Sequence, residues 1–257
     1  MIEIYWAVTF AFGAIIGSFL NVCIYRLPRQ KSIVLPPSKC PHCGYQLHWY
    51  DNIPIFSYLM LRGKCRSCKG AISIRYPFVE FASGILLTGL YMKYGLATEF
   101  FIYSVLIFCL ITISFIDLDY QLILNVITIP GLVVGLLLTL FFASESIIEV
   151  LSGVAGGAGV LIAIAIFGNL LFKKESMGGG DIKLAAMIGA YLGLTGVLMA
   201  LMIGFFSAAP IGALVLLWKG PHGDHKIPFG PFLSFGAICY IFSGQNILQF
   251  FHSYILN

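Results

Sequence analysis

Met177-Gly178-Gly179-Gly180-Asp181-Ile182-Lys183 places a carboxylate and a lysine in a chain whose long apolar runs leave little room for charge. The three glycines allow left-handed backbone and close packing, and the apolar residues after them read as a helix starting near Asp181. At membrane depth an ionisable group is costly enough that a functional role is the default reading. Ile116-Asp117-Leu118-Asp119-Tyr120 offers it a partner. Two acids held close at a water-accessible site cannot both ionise, so they share a proton: one deprotonates a water that attacks a carbonyl while the other donates to its oxygen. That is the chemistry of an aspartyl peptidase. Two other readings stand beside it: Asp181 as a helix cap with Asp117 or Asp119 solvated at the interface, and the pair as part of an ion or proton pathway. Judged from helix ends alone, Asp181 at a helix start is the resting base and Asp117 at a helix end the resting acid.

A second constellation is Cys40-Pro41-His42-Cys43 with Cys65-Arg66-Ser67-Cys68, two Cys-x-x-Cys knuckles separated by twenty-one residues. Thiolates at i and i+3 of a tight turn reach one tetrahedral ion at about 2.3 Å, and four of them close its coordination sphere. The site is therefore structural, with zinc expected and iron the open alternative. Disulfides are disfavoured in a reducing cytoplasm. Cys23, Cys109 and Cys239 lie in apolar runs, where a thiol behaves as a small hydrophobe.

These residues must be positioned by membrane helices. Of 257 residues 59% are hydrophobic and 10% charged, against about a quarter charged in a soluble globule. The expected fold is all-α and polytopic, with about eight transmembrane helices and a small cytoplasmic loop domain that binds zinc through four cysteines. The spans cover about 4–24, 78–92, 100–116, 122–142, 147–172, 182–194, 197–218 and 232–251. Residues 1–24 form a first helix, 25–77 the four-cysteine domain and 78–257 a seven-helix membrane domain. A cleaved signal peptide is not expected, because Glu3 stands where a basic region would be.

The 25–77 loop carries nine of the fifteen Lys/Arg residues, which makes it cytoplasmic by the positive-inside rule. Threading from there puts Lys173, Lys174, Lys183, Lys219 and Lys226 on the same side and only Lys93 outside. Asp117 and Asp181, sixty-four residues apart, come to one membrane depth. The partner expected is the lipid bilayer and not nucleic acid, since the net charge of +4 is set by where basic residues flank spans.

Several residues carry two readings. Ser18 and Asn21 are helix–helix hydrogen-bonding residues or part of a site. Glu80 is a cap or interfacial residue, or it faces a catalytic cavity. Gly153, Gly156, Gly157 and Gly159 lie in an apolar run with no strand before them, so close helix packing is expected and not a nucleotide loop. Lys226-Ile227-Pro228-Phe229-Gly230-Pro231-Phe232 is a rigid re-entry into the last span. His42, His48, His222, His225 and His252 are scattered, and the four thiolates leave His42 no necessary role.

Taken together the motifs resemble the bacterial prepilin peptidases, also called type IV leader peptidases, of the GxGD group of intramembrane aspartyl proteases. The resemblance rests on Gly17-Ser18-Phe19-Leu20-Asn21-Val22 with Tyr25-Arg26-Leu27-Pro28, the two knuckles, Asp51-Asn52-Ile53-Pro54 and Leu61-Arg62-Gly63-Lys64-Cys65-Arg66. It continues through Arg75-Tyr76-Pro77 with Glu80, Ile116-Asp117, Gly178-Gly179-Gly180-Asp181 and Ile227-Pro228-Phe229-Gly230-Pro231-Phe232. It implies that Asp117 and Asp181 are the catalytic pair, Asp117 taken over Asp119 by its position ahead of Asn125. It implies a type IV prepilin or pseudopilin as substrate, cut on the cytoplasmic side of the bacterial inner membrane, where the protein is multi-pass. Members with the cysteine loop are similar in also being N-methyltransferases that use S-adenosylmethionine. No Rossmann-type glycine fingerprint appears, so the methyl-donor residues are unknown. One departure is Leu124, where the family often has proline. Two alternatives remain at this point: a peptidase whose zinc loop is only structural, and a proton-coupled transporter or channel using the two aspartates.

Overall fold

The structure, a computed structural model, describes residues 2–143, 146–172, 177–219 and 227–255. Lys173, Lys174, Lys226, His222 and His225 lie outside the described residues, and the side chains of Lys219 and His252 are likewise not described. Among the described residues there is no strand, only two isolated bridges in the cysteine loop. Five helices there are long and apolar enough to cross a membrane: Glu3–Arg29, Thr98–Tyr120, Asn125–Phe142, Ile147–Leu171 and Gly179–Val215. This bears out an all-α chain with several apolar spans. The chain divides into two compact units, Met1–Leu96 and Ala97–Asn257.

In the first unit, helices α1 (Ile2–Arg26) and α3 (Arg75–Tyr94) pack along one another, and the cysteine loop between them carries a short α2 (Phe56–Met60). Small residues set the approach. A Cβ on Gly17 would lie 2.7 Å from Glu80 Cα, one on Gly13 2.7 Å from Ser83 O, and nearer the other end Tyr5 meets Tyr91 at a ring separation of 6.1 Å. The pair is antiparallel, as a long loop returning to the same membrane face requires. Asn21 Nδ2 donates to Tyr76 O at 3.0 Å, so its role in this helix pair is the interhelical hydrogen bond.

The second unit contains α4 (Thr98–Tyr120), α5 (Asn125–Phe142), α6 (Ile147–Phe172), α7 (Gly179–Lys219) and α8 (Gly230–Ile255). The expected spans 182–194 and 197–218 fall within α7, which is broken at Gly193 by a φ of 67° and ψ of −175°. Only glycine takes that conformation without strain. The neighbours of α6 show what the break does. At Gly153 a Cβ would meet Gly189 and Gly193; at Gly157 it would meet Ala185 and Val197. Moving one turn along α6 therefore moves down one half of α7 and up the other, so α7 doubles back on itself at Gly193.

Gly153, Gly156 and Gly157 thus pack helices together as expected, while Gly159 meets nothing within 4 Å. Gly189 leaves no room for a side chain against the Gly153 backbone. Gly189→Ala should destabilise the unit by about 1–3 kcal/mol, read as a lower thermal midpoint of the detergent-solubilised protein. α5 runs parallel to the first half of α7, with Gly131 against Met187 and Gly135 against Tyr191. α8 runs antiparallel to the second half, with Gly236 against Ala200 and Gly204 against Leu233.

Candidate active site and metal centre

α4 runs four residues beyond the expected end of its span and closes at Gln121, whose left-handed backbone sends its N–H to Asp117 O at 2.8 Å. Asp117 is therefore not just past the helix but in its last turn. Residues 117 and 119 point about 200° apart on a helix, and the structure buries Asp117 at 5% exposure while leaving Asp119 exposed. The chain then enters α5 through Leu124, whose φ of −80° is one that a proline ring also allows, in an extended backbone with ψ of 128°.

Asp181 lies in the first turn of α7 and is half-buried. Its Oδ1 is buried and has no hydrogen-bond partner among the described residues. The glycines before it do a different job from the one their sequence suggests, since Gly178, Gly179 and Gly180 all avoid positive φ. Gly180 matters for contact: a Cβ there would lie 2.7 Å from Ile123 Cβ, so the start of α7 presses on the α4–α5 connection. Lys183 Nζ ties the same two elements together by donating to Asn125 Oδ1 at 2.8 Å.

The fourth element at this end is α8. The N–H of its first residue, Gly230, donates to Asp117 Oδ2 at 2.9 Å. A Cβ on Gly230 would stand 2.7 Å from that same oxygen. Sequence reasoning missed this donor, although the Pro228-Phe229-Gly230-Pro231 re-entry was its signal. It also alters the expectation drawn from helix ends, because Asp117 lies at the start of α8 as well as the end of α4. The ends of α4, α5, α7 and α8 thus meet, with Asp117 and Asp181 both at this junction.

In the first unit the four knuckle sulfurs come within 4.8 Å of one another. Cys40 Sγ and Cys68 Sγ are 3.9 Å apart, and Cys43 Sγ and Cys65 Sγ 4.0 Å. A tetrahedral metal with thiolates at about 2.3 Å needs sulfurs roughly 3.8 Å apart, so the donor set fits a metal ion. Each knuckle is built alike. Cys40 N donates to Tyr45 O and Gly44 N to Cys40 O; Cys65 N donates to Gly70 O and Lys69 N to Cys65 O. His42 stands outside this donor group, as expected.

Asp51 braces the loop between the knuckles. Its side chain, 2% exposed, takes Arg66 Nε at 2.8 Å, and the His48 backbone N–H donates to it at 3.2 Å. Burial works against its charge, but the bond from Arg66, the His48 N–H and the Arg66 charge outweigh this and hold its carboxyl below the usual carboxylate range. Glu80 is also committed to the loop: 8% exposed, it accepts the Ile55 N–H at 2.8 Å and a bond from Ser18 of α1. That is the capping reading of Glu80, with the cap applied to the loop turn.

Residues 11–94 match the Bacterial Peptidase A24 N-terminal domain, and residues 104–213 match the Type IV leader peptidase family. A protein of Myxococcus xanthus named Prepilin leader peptidase/N-methyltransferase is 38% identical over 214 residues, 83% of this chain. The chain spans less than two thirds of that relative, 64% of its length. Proteins of the same name are 33% identical in Pseudomonas aeruginosa, over 94% of this chain and 91% of the relative, and 34% identical in Legionella pneumophila, over 95% and 93%. No solved structure matches the chain. With two family domains laid end to end along most of its length, and two of these relatives covered over more than nine tenths of theirs, the chain belongs to the type IV leader peptidase family.

Proposed function

We propose that this protein removes the leader peptide of a type IV prepilin or pseudopilin and then methylates the new N-terminal residue, with Asp117 and Asp181 as the peptidase pair. The single observation that supports the pair most is the meeting of four helix ends around two carboxylates in a largely apolar unit. Asp117, held by the Gly230 N–H, takes a proton from the attacking water. Asp181, whose Oδ1 is free of protein partners among the described residues, donates its proton to the carbonyl oxygen at the scissile bond. The tetrahedral adduct collapses as the C–N bond breaks: the departing amine takes the proton that Asp117 had accepted, and one hydroxyl of the diol returns a proton to Asp181 as the C=O bond re-forms.

In this reading the chain crosses the bacterial inner membrane eight times, α7 supplying two crossings through its reversal at Gly193 and α3 and α8 one each. The shared end of α4, α5, α7 and α8 faces the cytoplasm, as does the cysteine loop, and the basic leader of the substrate lies on that side. Residues 25–77 form the transferase part. Cys40, Cys43, Cys65 and Cys68 hold a structural zinc ion. S-adenosylmethionine supplies an activated methyl group for the new amine.

Incubating the purified full-length protein with prepilin and S-adenosylmethionine labelled in its methyl group tests both activities. Leader loss with label on the new N-terminus is expected, and cleavage without label transfer would remove the transferase claim. Removing the metal with a chelator, or Cys65→Ser, should speed tryptic cleavage within 25–77 by about tenfold or more, since binding energy at such a site is folding energy. The helices of the second unit should keep their protection in the same digest.

A further inference from the structure

The cysteine loop does not simply hang from α1 and α3. Its Pro54–Ile55 turn reaches back along α3 to Glu80, which accepts the Ile55 N–H at 2.8 Å. Glu80 is five residues past the start of α3 at Arg75, about 7 Å along the axis. Ile55 itself has a φ of 61°, an uncommon backbone for a β-branched residue, and it heads α2. Both features fix where α2 lies relative to the helix pair. α1 is long and apolar enough to cross a bilayer and α3 packs along it, so a bilayer spanned by this pair would meet α2 near the depth where headgroups give way to acyl chains.

The outward face of this segment suits that depth. Phe56, Leu59 and Met60 fall within a stripe of about 100° on α2 and are 57%, 66% and 68% exposed. Trp49, in the 3-10 turn Trp49–Asn52 packed on α2, is 79% exposed. On the inner side Ser57 is buried and donates to Tyr50 O at 2.6 Å. Arg62 and Lys64 follow directly. The whole loop carries nine Lys/Arg against one acid, Asp51, which Arg66 already occupies. An aromatic and aliphatic ridge flanked by a large excess of cations complements an anionic phospholipid surface.

We propose that residues 49–60 form a monotopic anchor: the ridge of Trp49, Phe56, Leu59 and Met60 enters the headgroup–acyl boundary of an anionic leaflet and holds the four-cysteine module against it. Glu80 is the positioning residue that sets the depth of the anchor. The proposal rests on α1 and α3 being membrane-embedded, and flotation of the protein with vesicles tests that separately.

The test uses full-length protein carrying Trp6→Phe and Trp218→Phe, so that Trp49 is the sole tryptophan. It is reconstituted in vesicles of phosphatidylglycerol and phosphatidylcholine brominated either near the carbonyl or near the methyl end of the acyl chains. Trp49 emission should fall by about twofold or more with the shallow label and less with the deep one, as for an interfacial element. The quenching should weaken when phosphatidylglycerol is omitted, and it should be at least halved by the triple change Phe56→Ser, Leu59→Ser, Met60→Ser in protein that retains its metal. Emission indifferent to both labels while the protein still floats with the vesicles would overturn the anchor. So would a ridge that responds only to added prepilin, which would make it a substrate surface.

Discussion

Asp117→Asn and Asp181→Asn should each lower prepilin cleavage by about a thousandfold or more, because an amide can neither take a proton from water nor return one to the carbonyl. Combining them should cost little beyond either alone, since two groups that share one proton act as a unit. Asp119→Asn is the control: that side chain is exposed two residues along α4, and processing should stay within about threefold of the parent, as for a surface change. Cleavage assays on purified protein, with thermal melts to show that each variant is folded, separate loss of chemistry from loss of fold. Asn at either position with intact leader removal would end the assignment.

Gly230→Ala is the second large effect. Its Cβ would stand 2.7 Å from Asp117 Oδ2, inside van der Waals contact, while the N–H that holds this oxygen sits on the same residue at 2.9 Å. The carboxylate or the start of α8 has to shift by some tenths of an ångström or more. A misplacement approaching about 1 Å at a reacting group costs about a hundredfold in rate, so a loss of about tenfold to a hundredfold is expected. The loss should appear in kcat, with KM little changed and thermal stability within about 1–3 kcal/mol of the parent. A fall in substrate affinity at unchanged kcat would mean that Gly230 serves binding and not the carboxylate.

Asp181 is legible in the sequence because three glycines and a carboxylate are out of place in an apolar run, and Asp117 because its level along the chain follows from counting spans. Choosing Asp117 over Asp119 needs family resemblance in sequence, whereas in three dimensions it is a matter of helix phase: one side chain turns inward and the other outward. The Gly230 donor is not legible, because a backbone N–H leaves no mark in residue type and its target lies 113 positions away. The same holds for the reversal at Gly193, which hydropathy shows only as a thin place between two apolar runs. The knuckles are legible down to the donor set, because their spacing is local. The commitment of Glu80 to Ile55 is not, since it depends on a turn whose backbone no propensity favours.

The gathering of helix ends has one more chemical consequence. Of the four that meet beside the two carboxylates, three are beginnings, those of α5, α7 and α8, and one is an end, that of α4. Beginnings present backbone N–H groups and a partial positive charge, so the balance of main-chain dipoles around the two carboxylates is electropositive. In the proposed reaction, the oxygen that gains charge as water adds to the carbonyl would lie in a field already oriented to receive it by the main-chain N–H groups of those three helix starts.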